Sequence, residues 1–186
     1  MSIHAQMPAT SKEFFLWNEG RQGKREFAHG KVIEQERDTT RAQARLKTNL
    51  LFALAETLDR QKYEVGSFGF AVQTGAGVRF PDLVVEMKSA EANGSDLAAI
   101  HPVMLAEVPS PSSYARDFGE KVEEYKQLQT LQHYLVLSED EPRAWLWSRS
   151  GDAWHGPEMI SGSNGRLDLT GLGASIDLAK LYRDAT

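Results

Sequence analysis

Two short apolar runs narrow the folds open to this chain more than any other feature. Phe80–Met87 contains Leu83-Val84-Val85, and Val103–Val108 contains Val103-Met104-Leu105-Ala106. Both runs are too short for a buried helix and apolar at consecutive positions. As strands they show apolar side chains to both faces of a sheet. Such strands lie in the middle of a layered fold, where helices cover them. One cover is easy to find. Leu46, Leu50, Leu54 and Leu58 recur every fourth residue, with Leu51 and Ala55 beside them. This predicts an amphipathic helix over roughly residues 40–60, capped from Asp38-Thr39-Thr40.

The remaining elements follow from local signals. Glu64–Thr74 carries Val65, Phe68, Phe70 and Val72, a strand with imperfect alternation that ends at the Gly75-Ala76-Gly77 turn. A second helix is predicted over about 115–129, capped from Ser112 or Ser113, and a strand over His133–Ser138. From residue 40 to 138 the order is helix, strand, strand, strand, helix, strand. That pattern reads as an α/β (mixed α+β) fold, a central mixed sheet flanked by helices, and not the alternating βαβ of a doubly wound fold. Outside this core, Ser11–Glu19 reads as a short helix with a Ser11 cap. Arg25–Ala28 and Lys31–Glu36 read as a hairpin around His29-Gly30. Lys88–Pro102 reads as a polar surface loop. Ala144–Ser148 and the region of Asp152-Ala153-Trp154 read as further strands, and Ser175–Tyr182 as a short helix. With 186 residues the chain can bury a core without staples, and a single domain over 1–186 is expected.

Composition excludes several chemistries. There is no cysteine, hence no disulfide framework, zinc-thiolate site or thiol nucleophile. This fits a reducing cytoplasm. No apolar run approaches the ~20 residues of a membrane span, and MSIHAQMPATSKEFF lacks the pattern of a leader. The five histidines show no metal-ligand spacing and read as loop or rim residues. Ser110-Pro111-Ser112-Ser113 lacks the surroundings of a nucleophile elbow. The net charge of −5 argues against a broadly basic surface but leaves room for a local patch. Arg37, Arg41, Arg45 and Lys47 are one such patch, or else a solvated helix face.

The positive chemistry lies at the strand ends. Asp82 opens one apolar strand and Glu107 closes the next. If the two strands pair antiparallel, the carboxylates meet at one edge of the sheet, where repulsion favours a cation between them. Hard oxygen donors of this kind suit Mg²⁺ or Mn²⁺. The alternative is a pair of strand-end acids in water. Lys121 falls within the stripe of Phe118, Val122, Tyr125 and Leu128 on the second helix, facing the sheet, where an ammonium needs a carboxylate or a substrate anion. Asp117 one turn earlier is an ordinary partner for it. Glu34, beside Glu36 and Arg37, reads as solvated, with a role in the site as the alternative.

These residues resemble a known family. Pro81-Asp82-Leu83-Val84-Val85, then Leu105-Ala106-Glu107-Val108-Pro109-Ser110-Pro111-Ser112, then Asp117-Phe118-Gly119-Glu120-Lys121-Val122-Glu123-Glu124-Tyr125 are similar to the Uma2 family (DUF820). Leu131–Leu137 and Gly30-Lys31-Val32-Ile33-Glu34 resemble its next strand and its opening hairpin. That family is assigned to the PD-(D/E)xK nuclease superfamily. The resemblance implies a restriction-endonuclease-like core over about 40–138, an N-terminal β-hairpin extension, and a metal-dependent endonuclease acting on nucleic acid, DNA rather than RNA. It implies Asp82 and Glu107 as ligands of Mg²⁺ or Mn²⁺, with the Val108 carbonyl as a further ligand. Lys121 would be a migrated catalytic lysine, because Pro109 stands where the superfamily places that lysine. Glu34 and Asp117 are secondary catalytic candidates. A homodimer would supply two sites for two strands. The rival expectations are a nuclease-like binding or scaffold protein without turnover, and an enzyme acting on a small phosphorylated ligand in a closed pocket.

Overall fold

The computed structural model describes residues 6–35, 39–67 and 69–185. Glu36, Arg37, Asp38 and Phe68 lie outside the described residues, and so does the part each was expected to play.

The helix expected over 40–60 is α2 (Arg41–Thr57). Thr40 is its cap. The Thr40 hydroxyl accepts from the Gln43 amide at 3.0 Å while the Gln43 side chain accepts from the Thr40 amide at 3.3 Å. Leu46, Leu50, Ala53 and Leu54 are buried on one face of a six-stranded sheet. That sheet runs β11-β10-β9-β8-β6-β3, from β3 (Tyr63–Ser67), β6 (Leu83–Met87), β8 (Pro102–Glu107), β9 (His133–Leu137), β10 (Arg143–Ser150) and β11 (Ala153–Ser161). Only β8 and β9 pair in parallel. The apolar runs sit at its centre and are covered on both faces. Leu83, Val85, Met104 and Ala106 pack with α2, whereas Val84 and Leu105 pack with Val122, Tyr125 and Tyr134.

The second helix is broken. It forms as α3 (Tyr114–Phe118) and α4 (Glu120–Tyr125), interrupted at Gly119 (φ −117°, ψ −94°), and ends before residue 129. Together these pieces carry the chain across from β8 to the parallel β9. Ser113 occupies the position before α3 but makes no side-chain cap. Its hydroxyl instead accepts from the Ser110 amide at 3.0 Å. At the N-terminus, Thr10 rather than Ser11 caps α1 (Ser11–Asn18).

The strand expected over 64–74 is two strands in two sheets, which is why its alternation failed. β3 belongs to the large sheet. β4 (Ala71–Thr74) belongs to a second sheet of order β2-β1-β5-β4-β7, with β1 (Arg25–Ala28), β2 (Lys31–Glu34), β5 (Gly77–Arg79) and β7 (Ala98–Ala99). The hairpin turn at His29 and Gly30 has φ of 51° and 74°, as a two-residue turn with both centres left-handed requires. The hairpin is not a free appendage, because β1 also pairs with β5. Gly77 (φ 154°) allows that pairing, since a Cβ there would strike the Phe27 carbonyl oxygen. β7 lies within the segment expected to be only loop. β12 (Arg166–Leu169) and β13 (Ala174–Asp177) form a small hairpin not foreseen from the sequence. With α5 (Leu178–Leu181) it completes the core against α2.

Candidate active site

Leu83 lies opposite Ala106 in the antiparallel β6–β8 ladder. Asp82 is one residue before the first and Glu107 one residue after the second, so both acids emerge at the same end of the pair. They line a cavity of about 210 Å³ together with Val108, Asp117 and Lys121. The Val108 amide donates to Asp82 Oδ2 at 2.8 Å. Two lysines face the other oxygen: Lys47 Nζ is 2.9 Å from Asp82 Oδ1 and Lys24 Nζ 3.4 Å. Burial works against the Asp82 charge, but Lys24, Lys47 and the Val108 amide outweigh it and hold the carboxyl below its ordinary range.

Lys121 is 3% exposed and lies among three carboxylates. Its Nζ donates to Glu107 Oε1 at 2.7 Å, and lies 2.9 Å from Asp117 Oδ1 and 3.1 Å from Glu26 Oε1. The Asp117 contact is an ion pair without hydrogen-bond geometry, which leaves Asp117 Oδ1 with no donor. Burial opposes the ammonium charge, yet Glu107, Glu26 and Asp117 overrule it and raise the lysine well above its usual value. Burial acts the other way on Glu107. Desolvation, reinforced by Asp117 and Asp82, pushes its carboxyl up to about 8 despite Lys121. These two shifts pull apart across one hydrogen bond. The lysine's charge is the firmer of the two, because Glu26 and Asp117 sustain it whichever state Glu107 adopts.

Glu26, on β1, was not anticipated. It is fully buried and joins Lys121 to Arg79. Arg79 Nη1 donates to Glu26 Oε2 at 3.0 Å, and its Nε donates to Glu124 Oε2 at 2.9 Å. Gln35 Nε2 and the Phe80 amide also donate to Glu26, at 2.9 and 3.3 Å. Burial disfavours the Glu26 charge, but Lys121 and Arg79 prevail and hold the carboxyl below its ordinary range. At full ionisation, Glu26, Asp82, Glu107, Asp117 and Glu124 face Lys24, Lys47, Lys121 and Arg79. The nest therefore keeps an excess of negative charge that a proton on Glu107 or an added cation would cancel.

The structure thus brings Asp82, Glu107, Asp117 and Lys121 together and leaves Glu34 out. The Glu34 carboxylate is exposed and pairs with Arg25 Nε at 3.2 Å. The described members of the candidate basic patch do not share one face either. Arg41 is exposed, Arg45 bonds the Asp184 carbonyl, and Lys47 turns to Asp82. His133 is buried in β9 rather than at a rim, bonded to Ser148 Oγ at 3.0 Å. A signal for Lys47 was present, since Gln43, Lys47, Leu50 and Leu54 follow helical spacing on one face. Glu26 and Arg79 sit in strands of four and three residues, too short to reveal which side is buried.

Asp82 and Glu107 offer hard carboxylate oxygens beside the Val108 backbone. Among the described residues, no group of three or more His, Cys, Asp or Glu is arranged to ligate a metal. The chemistry of the two carboxylates suits a hard divalent cation, while Lys24, Lys47 and the Val108 amide already engage the Asp82 oxygens.

A family model, Uma2, described as "Putative restriction endonuclease", matches residues 11–179. A curated relative, an uncharacterized protein of Synechocystis sp. (strain PCC 6803), is 25% identical over 98% of this chain and 96% of its own length. A solved structure described as a putative nuclease belonging to DUF820, from Anabaena variabilis, superposes with a TM-score of 0.75 at 13% identity. That match covers 96% of this chain and 100% of the other. The last likeness establishes the fold, and the extent of the family match establishes kinship: the chain belongs to the Uma2 family.

Proposed function

We propose that the protein is a metal-dependent endonuclease that hydrolyses phosphodiester bonds in nucleic acid, with DNA as the substrate. The observation that carries this reading is the convergence of Asp82, Glu107 and Lys121 on one cavity at the end of the β6–β8 pair. Asp82 and Glu107 would hold Mg²⁺ or Mn²⁺ through carboxylate oxygens, with the Val108 carbonyl as a further donor. Bound there, the ion would lower the pKa of a water and offset charge on the phosphate. Lys121, its ammonium surrounded by Glu107, Asp117 and Glu26, would act through its positive charge, offsetting the charge that develops on the phosphate. Asp117 and Glu26 keep that ammonium charged and in place. Cutting both strands of a duplex takes two such sites, which a second copy of the chain would supply. The absence of cysteine supports a cytoplasmic setting. Among the described residues no helix is long and apolar enough to cross a membrane.

The test is cleavage of a panel of plasmid, linear duplex and single-stranded substrates with Mg²⁺, with Mn²⁺ and with chelator. Cleavage should need the metal, and Asp82→Asn should lower its rate by at least ~100-fold, the scale of losing one key transition-state contact. Cleavage that persists in chelator, or that Asp82→Asn leaves intact, overturns the reading. One observation favours a second reading, nucleic-acid binding without turnover: Lys24 and Lys47 already neutralise the Asp82 oxygen that a metal would take. That reading expects no saturable heat on Mg²⁺ or Mn²⁺ titration and nucleic-acid binding indifferent to Asp82→Asn.

A further inference from the structure

A second cavity, of about 520 Å³, adjoins the acidic one and shares Lys24, Lys47 and Asp82 with it. It runs between the end of α1, the start of β1 and the middle of α2. The walls are chemically unlike the acidic nest. Lys24, Arg25 and Lys47 line the cavity with Asn18, Thr48 and Phe80, in a chain whose net charge is −5. Arg25 is only partly committed. Its Nε pairs with Glu34, but its Nη1 is buried without a hydrogen-bond partner. A buried guanidinium nitrogen with no acceptor is costly unless a ligand supplies one. Lys24 and Lys47 each touch a single oxygen of Asp82, and an ammonium has three protons to give.

We propose that this groove is the subsite for the backbone phosphate next to the scissile one. Lys24, Arg25 and Lys47 hold that phosphodiester while Asp82 marks the junction with the acidic cavity. The assignment rests on the nuclease reading and extends it by saying where the neighbouring nucleotide lies. It also gives the lysines at Asp82 a second use. A cation taken up at Asp82 would displace their ammonium groups, and the adjacent groove offers them a phosphate. Nucleic-acid affinity should then rise when a non-catalytic divalent ion such as Ca²⁺ is present.

The experiment measures binding, not turnover. Anisotropy of a labelled duplex and a labelled single strand is followed against salt, in Ca²⁺ and in chelator, for the wild-type protein, Lys24→Ala, Arg25→Ala and Arg25→Lys. Lys24→Ala and Arg25→Ala should each weaken binding about 10-fold and lower the slope of log K against log salt by about 1. Arg25→Lys should recover part of the loss, and the wild type should bind more tightly in Ca²⁺. Unchanged affinity and slope in Lys24→Ala, whose side chain is 42% exposed and whose loss the fold should tolerate, overturns the subsite. If Arg25→Ala unfolds, Lys24→Ala decides alone. Competition by millimolar inorganic phosphate with an unchanged salt slope points to a small-anion site and also overturns it. Altered slopes without cleavage keep a phosphate-binding groove but sink the nuclease reading, and with it the place beside a scissile phosphate. Metal-dependent cleavage with unaltered slopes does the reverse.

Discussion

Lys121 is the residue whose role is easiest to misjudge, because a buried ammonium looks like a defect until its partners are counted. Glu107, Asp117 and Glu26 each lie within 3.1 Å of its Nζ. Lys121→Met leaves Glu107 and Asp117 without their buried cation and Glu26 with Arg79 alone, a loss of roughly 3–5 kcal/mol on the scale of broken buried ion pairs. Adding Glu107→Gln should return part of it, because the amide can never ionise in a site that has lost its cation, and Glu26 retains Arg79. Urea denaturation of the two single variants and the double closes this cycle. Strictly additive losses would mean that Glu107 and Lys121 are not coupled. Asp82, Glu107 and Lys121 were legible in the sequence for one reason. Each interrupts an apolar pattern, and an ionisable group among apolar neighbours needs an explanation. Glu34 has no such setting, and the structure leaves it in solvent with Arg25.

At the level of elements, the site depends on strands too short to announce themselves. β5 and β1 place Arg79 and Glu26 side by side, and their pairing passes through Gly77. Gly77→Ala puts a Cβ against the Phe27 carbonyl and forces an unfavourable φ, at a cost of order 1–3 kcal/mol. Activity should fall as well, although Gly77 does not border the acidic cavity, because the Glu26 that braces Lys121 moves with β1. Thermal denaturation read beside the cleavage rate checks this. A destabilised variant with full activity at low temperature would show that β1 does not position the lysine. The long helix was readable because it repeats a period over many residues, and the central strands because they are apolar at consecutive positions. The split of residues 64–74 between two sheets was not, since a chain that changes sheets leaves only a faulty alternation behind. The break at Gly119 was hidden for a related reason. The apolar stripe continues through it, and Asp117 still reaches Lys121 across it.

For the whole molecule, the surplus of negative charge in the nest predicts a thermodynamic response to metal. A divalent ion that binds only the folded chain stabilises it by about 2.7 kcal/mol at a hundred times its dissociation constant. For a chain of this size that is a rise of roughly 5–10 °C in Tm. Scanning calorimetry with Mg²⁺ or Mn²⁺ should show the rise in the wild type and not in Asp82→Asn. An equal rise in both would place the ion elsewhere. The residues of the nest also come from distant stretches of chain: Glu26 from the hairpin, Lys47 from the long helix, Asp82 and Glu107 from the ends of two central strands, and Lys121 from the crossover. The set is complete only when the hairpin, the long helix, the central strands and the crossover have come together. If the centre cuts phosphodiesters as proposed, a nascent copy whose segments have not yet met should leave nucleic acid untouched, and the hazard of carrying such a centre would be confined to chains that have finished folding.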